Sequence, residues 1–357
     1  MRLASLRLRG IGPFEDTTVR FDGTHAELRA ARPTTVLFGG DGTGKTTLLS
    51  ALALTRPGYA LPPLPSMTTR ERDRDGEPPA AFAEWLLGDD DPERPHPLLV
   101  ASPSALLPGE SNDAASVRRR EQALFDRKAQ SEGGFVFLAL SGARWFSRTP
   151  NMLTSPDRSV LRYDVRTPAT FDDPSRADLA RDVKQVLAYA AIGHALGRDR
   201  VETMGLARLD QALQEVLEIL LQPFGCGYVG TSARTLEPEL RDDRGRVVPF
   251  EALPRPARHL AAFGVLALRS LAAAYTSADG DPREHEGVVA IDDVEMLQEP
   301  SMLRALLPLL RQALPNVQWI LTTASAQLAM ACAEGELVSL RRSGTSGTVE
   351  IGEGILH

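Results

Sequence analysis

Eight consecutive residues, Gly39-Gly40-Asp41-Gly42-Thr43-Gly44-Lys45-Thr46, constrain the fold of this chain more than any others. They fit the spacing G-x-x-x-x-G-K-[ST], the phosphate-binding P-loop. Glycine lets the backbone turn tightly, so that successive N–H groups converge on one point and form an anion-binding concavity. The loop needs a strand before it and a helix after it. Thr34-Thr35-Val36-Leu37-Phe38 reads as a short buried strand, and Thr47-Leu48-Leu49-Ser50-Ala51-Leu52-Ala53 as the helix. That helix adds free N–H groups and its positive dipole end. Lys45 is placed to reach β- and γ-phosphates, and the Thr46 hydroxyl to bind the Mg2+ that bridges them. The chain holds 29 glycines in 357 residues and only three lysines, Lys45, Lys128 and Lys184. A chance match to the motif is therefore expected about 0.002 times.

The second constraint lies far downstream. Gly287-Val288-Val289-Ala290-Ile291 is an apolar strand that ends in Asp292 and Asp293. Such a strand delivers a carboxylate to the carboxyl edge of a parallel sheet. Asp292 is thereby a candidate Mg2+ ligand opposite Thr46. Asp293 and Glu295 are candidates to polarise an attacking water; two residues apart in extended chain they share a side, so spacing does not choose between them. Either would equally serve as a helix-capping acid.

Between these motifs the chain alternates strand and helix, which predicts a parallel α/β sheet. Residues 1–22 read as a hairpin turning at Gly10-Ile11-Gly12-Pro13. A second hairpin is expected from Ala83–Leu87 and Leu98–Ala101 around Gly88-Asp89-Asp90-Asp91-Pro92, a solvated turn rather than a calcium loop. Residues 55–80 read as a loop, and 102–132 as polar and poorly patterned. Phe135–Leu140 is a buried strand; helices are expected at 175–196, 204–222, 256–275 and 300–314, with a short one over 325–333. Strands are expected between Tyr228 and Phe250 around Arg244-Gly245, then at 317–322, 337–340 and 349–351.

The length suits one large domain or two moderate ones. Cys226 and Cys332 form no metal or disulfide pattern. No apolar run approaches the ~20 residues of a membrane helix, and the first residues alternate instead of forming a signal-peptide core. The expectation is a cytoplasmic protein with no membrane partner. A net charge of −7 argues against a wholly basic coat for nucleic acid while leaving room for a local basic groove.

Taken together, the order of hairpin, P-loop, long insertion and strand-Asp-Asp resembles ABC-type ATPases of the RecF/SMC/OLD group, especially compact bacterial ATPases of the AAA_21 type. The resemblance covers residues 1–53 and about 240–342. The group's D-E-x-E motif is similar to Asp292-Asp293-Val294-Glu295, and its T-T-H-S to Thr322-Thr323-Ala324-Ser325. It implies a P-loop NTPase fold: a mixed or parallel central sheet, N-terminal antiparallel hairpins, a single head over residues 1–357 and an inserted helical lobe over 102–225. It implies ATP and Mg2+ as ligands, Gly39–Thr47 as the cradle with Lys45 catalytic, and hydrolysis in a nucleotide-sandwich homodimer or higher oligomer. DNA-linked or phage-defence work follows, with DNA and a separate effector or nuclease as candidate partners. Three departures stand out. The signature near L-S-x-G-x-x is Leu253-Pro254-Arg255-Pro256-Ala257-Arg258-His259-Leu260, without its Ser and Gly; Arg255 and Arg258 are either a substitute cationic clamp or ordinary surface arginines. The switch histidine is Ala324. The usual catalytic Glu is Asp293, one methylene shorter, and misplacing a base by ~1 Å costs about 10²-fold. An ATP switch that hydrolyses weakly or not at all and controls a partner effector is the alternative reading. Gln122 and Gln130 are candidates for the group's mobile glutamine.

Overall fold

The alternating start of the chain forms an antiparallel hairpin, β1 (Arg2–Ile11) and β2 (Phe14–Arg20). The computed structural model describes residues 2–21, 34–55, 79–86, 98–101, 106–107, 109–132, 136–151, 178–197, 204–275, 280–344 and 347–354. Of the loop expected at 55–80, residues 56–78 lie outside these, as does the aspartate turn at 88–92, while Ala80 already opens a strand. The strands flanking that turn, β4 (Ala80–Leu86) and β5 (Leu98–Ala101), do pair antiparallel and complete a four-stranded sheet in the order β2-β1-β4-β5.

The central sheet runs β13-β12-β3-β11-β10-β6. Its strands are β3 (Thr35–Phe38), β6 (Phe137–Leu140), β10 (Gly287–Ile291), β11 (Val317–Thr323), β12 (Leu337–Arg342) and β13 (Val349–Glu353). All neighbours are parallel except β12 and β13, a hairpin that makes the sheet mixed. The middle strands are almost wholly buried and mostly apolar because both faces are covered. On one face Leu37, Val288, Ala290 and Ile320 join the core beneath β1 and β4. On the other, Val36, Val289, Ile291, Trp319 and Leu321 join the core beneath the helices. The period of two thus sorts one strand into two cores.

Helix α1 (Lys45–Leu54) lies between the two sheets and buries Leu48, Leu49, Ala51, Leu52 and Ala53, leaving only a narrow polar side at Thr46, Thr47 and Ser50. A bulge in β1 between Leu3 and Ser5 shifts the pleat, which lets Leu3 and Leu6 enter the same core despite an odd separation. At that point Gln318 of β11 accepts from the Leu3 N–H at 2.7 Å and donates to the Leu3 carbonyl at 2.9 Å.

The opposite layer is helical: α3 (Leu179–Leu196), α4 (Met204–Leu221), α5 (Arg255–Ala274) and α6 (Pro300–Ala313). The stripe Leu206, Leu209, Leu213, Val216, Leu217, Leu220 is buried as its spacing required. A small sheet, β7 (Gly227–Thr231), β8 (Pro238–Arg241) and β9 (Val247–Pro249), carries the expected turn at Arg244-Gly245. Two expectations change. Residues 112–132, read as unpatterned, form the helix α2 (Asn112–Glu132). Its buried stripe is Ala115, Arg118 and Phe125, with Arg118 paired to Glu110, whereas Val117 and Leu124 face outward. Polar members of the stripe hid the period. The helix expected over 325–333 is only α7 (Ala326–Ala329). No described helix is long and apolar enough to cross a membrane.

Candidate functional site: a phosphate cradle and an acid corner

The cradle follows from β3 and α1. The Gly39 N–H donates to the Thr323 carbonyl at 3.1 Å, which fixes the start of the loop against β11. Gly39 is buried, while Gly40, Asp41 and Gly42 stand exposed on the rim. Thr43 folds back, its hydroxyl donating to the Gly40 carbonyl at 2.8 Å. Gly44 holds φ at 86°, and a Cβ there would meet the Phe14 ring at 2.8 Å and Pro13 at 2.7 Å. Only glycine satisfies both demands, so the β1–β2 turn forms the wall of the loop. No side chain caps α1 and no acid lies in its first turn, leaving its N–H groups and dipole facing the loop. Lys45, 7% exposed, donates from Nζ to the Gly39 carbonyl at 2.7 Å and the Gly40 carbonyl at 3.1 Å. Thr47 stands against Gly12, where a side chain would strike its methyl at 2.9 Å. Arg342, at the end of β12, brings Nη1 to 3.7 Å from where a Gly42 Cβ would lie.

The acid corner comes from β10 and β11. Thr46 Oγ1 donates to Asp292 Oδ2 at 2.8 Å, and Thr322 Oγ1 donates to Asp292 Oδ1 at 2.6 Å. Asp292 is 2% exposed, and Thr322 is fully buried. A hydroxyl and one carboxylate are hard oxygen donors suited to Mg2+, which keeps several waters and completes its octahedron with phosphate oxygens. Consistently, among the described residues no three His, Cys, Asp or Glu side chains gather as a ready-made metal cage. The donor set therefore fits a cation held jointly with a nucleotide.

Asp293 follows in a left-handed conformation with φ 44°, its N–H donating to Thr322 Oγ1 at 2.8 Å. Burial, then the neighbouring Asp292 and Glu295 carboxylates, raise its carboxyl above the ordinary 3.8; Lys45 and Arg144 oppose that rise. Glu295 is engaged elsewhere, accepting from the Ala324 N–H through Oε1 at 2.7 Å. The two acids that spacing could not separate thus sit differently.

Three contributors escaped the sequence reading. Thr322 orients Asp292. Gly142, just beyond β6, lies so near the acids that a Cβ would meet Asp293 Oδ2 at 2.9 Å. Arg144, 5% exposed, donates to the Ser141 carbonyl at 2.7 Å, to the Asp292 carbonyl, and to the Asp293 carbonyl at 2.8 Å. The signals were a glycine two residues after a strand and two threonines ending a largely apolar one. Gln122, a candidate for the mobile glutamine, sits on α2 with its side chain near the Ala101 N–H; Gln130 is on the same helix.

Arg255 and Arg258 open α5 instead. Among the described residues neither is joined to the loop by a hydrogen bond or ion pair. Arg258 lies over the Phe146 ring at 5.4 Å, and burial followed by the charge of Arg255 lowers its ordinarily high pKa. Next to Arg258, His259 is 1% exposed, donates through Nδ1 to the Arg255 carbonyl at 3.0 Å, and meets Phe146 edge-on at 4.9 Å. Burial pushes its imidazole down to about 4, so it is neutral at ordinary pH and its Nδ1 is the donor.

Parallel strands that converge on a glycine-rich loop, beside a Thr–Asp–Thr corner and under an antiparallel sheet, define a P-loop protein. Two comparisons narrow the likeness. Residues 5–66, which include the whole cradle, match the AAA_23 family model, an AAA domain. The fold is that of SMC heads: it matches the SMC head domain from Thermotoga maritima with TM-score 0.51 and 12% identity, covering all of both chains. It also matches an Smc head bound to the C-winged helix domain of ScpA, with TM-score 0.52 and 10% identity over 99% of this chain and 97% of that one. No curated protein matches the chain.

Proposed function

We propose that this chain binds Mg2+ and ATP at the Gly39–Thr47 cradle and hydrolyses the γ-phosphate. The observation that carries this reading is the Thr46–Asp292–Thr322 corner, in which residues 246 and 30 positions apart share one carboxylate beside the loop. Lys45 exchanges the Gly39 and Gly40 carbonyls for β- and γ-phosphate oxygens, a swap of acceptors that leaves its charge better matched. Thr46 and Asp292 would hold the cation, which would offset the negative charge of the phosphates. The Asp293 carboxylate takes the proton of the attacking water, and Glu295 holds the Ala324 segment in place. Arg342 adds positive charge at the rim, and Asp41 and Thr43 shape it.

The active form on this reading is a homodimer or higher oligomer, with nucleotide held between one cradle and the α5 start of a second copy. Support comes from Arg258, which lies over Phe146 and feels the charges of Arg255 and Arg148, opposed only by the Glu251 carboxylate, and makes no ion pair among the described residues. The whole chain works as one head, in a cytoplasmic process linked to DNA or to phage defence. Calorimetry with ATP, with and without Mg2+, tests the cradle, and light scattering tests the dimer. Absence of Mg2+-dependent binding sinks the first claim, and an ATP-independent monomer the second.

A second reading is a weakly hydrolysing switch that controls an effector protein. Ala324 favours it, since its side chain offers no hydrogen bond to a γ-phosphate and its N–H is already taken by Glu295. Steady-state phosphate release, with and without DNA, separates the two.

A further inference from the structure

Arg144 has no part in the chemistry above, yet the chain buries its charge beside the acid corner. Burying a guanidinium is costly unless its donors are satisfied, and here burial lowers the pKa to about 10. Its Nη donors go to backbone carbonyls rather than to a carboxylate: Ser141 at 2.7 Å from Nη1, Asp292 also from Nη1, and Asp293 at 2.8 Å from Nη2, while Nε is buried with no hydrogen bond. One face of the group lies over Phe263 of α5 at 5.2 Å. The carbonyls it grips flank the point where the chain leaves β10 and enters a left-handed turn at Asp293, a conformation that a non-glycine residue adopts only when its surroundings impose it.

We propose that Arg144 is a positioning residue for this corner. It clamps two successive carbonyls, so that the Asp292 carboxylate is aimed at Thr46 while Asp293 is turned toward the Gly142 side of the cradle. The clamp needs the planar fork of arginine. A lysine ammonium offers a single point charge, and it cannot present two diverging donor arms to successive carbonyls as the guanidinium does. The inference rests on the Mg2+-ATP reading for its functional consequence, but not for its structural one.

The test uses the full chain with Arg144→Lys and Arg144→Ala, and Lys45→Ala as the control for the cradle. Without nucleotide, hydrogen exchange is followed at the Asp293 and Val294 amides, which donate to Thr322 Oγ1 and the Thr322 carbonyl. In Arg144→Lys, exchange at these two is expected to rise about tenfold while α4 and β12 stay at wild-type rates. With ATP, the Mg2+-dependent gain in affinity is expected to fall about tenfold and affinity without Mg2+ to hold; any turnover falls in kcat with KM unchanged. Wild-type exchange at 293–294 in Arg144→Lys overturns the proposal. So does a uniform rise in exchange with equal loss of affinity in both conditions, the mark of a merely structural role. If wild type and Lys45→Ala bind ATP alike, the cradle reading fails, while the exchange result still decides on Arg144. Arg144→Lys carries the test even if Arg144→Ala does not fold.

Discussion

The phosphate cradle and the start of α5 both collect positive charge, and they treat it in opposite ways. In the cradle the polar side chains are met from within the chain, Lys45 on two loop carbonyls, Thr43 on a third contact with Gly40, Thr46 and Thr322 on Asp292, while the N–H groups that open α1 stay free to meet a ligand. At α5, Arg148, Arg255 and Arg258 crowd together with no carboxylate ion pair among the described residues, and Arg258 Nε and His259 Nε2 are buried with no hydrogen bond. The first arrangement is organised before a ligand arrives, which lowers the cost of binding. The second leaves a cost that an incoming anion would relieve, as the proposed sandwich requires.

Substitutions break this contrast in graded steps. The largest effect is expected at Asp293→Asn, which removes a general base and lowers phosphate release by about 10² or more, with ATP affinity retained. The same substitution should raise the melting temperature at neutral pH. The folded protein disfavours the Asp293 carboxylate, a cost that is present above its raised pKa and absent below 3.8, where both proteins should melt alike. Unchanged phosphate release would move the base to Glu295 or elsewhere. Next, Lys45→Ala should weaken ATP binding about 100-fold in calorimetry, the loss of two charge-assisted hydrogen bonds; full affinity would undo the cradle assignment. Arg258→Ala sharpens the contrast from the other side. ATP affinity of the single chain should stay within about twofold, whereas ATP-dependent dimerisation in light scattering should weaken about tenfold. Loss of both together would make the two regions one site.

The smallest effect is a pH response. His259 binds a proton at about 4 when folded and near 6.5 when unfolded. Stability is therefore complete above 6.5 and declines as pH falls toward 4, where the unfolded chain gains the proton first. His259→Asn keeps a donor for the Arg255 carbonyl and removes the titration. Its melting temperature should fall less steeply over that window, and an identical slope would place the acid sensitivity elsewhere.

Much of this site was legible in the sequence because it is local. Gly39–Thr46 carries its own geometry, and an apolar strand ending in Asp292 announces its own end. What stayed hidden depends on neighbours. Thr322 reaches Asp292 only because β11 lies between β3 and β10, and Arg144 and Gly142 only because β6 closes the same edge; no periodicity encodes strand order. Helix α2 was missed for a different reason. Arg118 occupies its inward stripe while Val117 and Leu124, the residues that a hydrophobic pattern counts, point to solvent.

Gln318 has a consequence beyond holding β1. Its amide stands in for a missing neighbour strand, giving one acceptor and one donor to Leu3 from inside the protein. That makes the position intolerant in a chemically specific way. Glutamate is the same size but has no N–H for the Leu3 carbonyl, and it would bring a charge into a fully buried place. Leucine fills the space and orphans both groups. A single amide thus stitches the antiparallel sheet to the parallel one, so the wall formed by Pro13 and Phe14 keeps its place over Gly44 through a side chain at the far end of the strand.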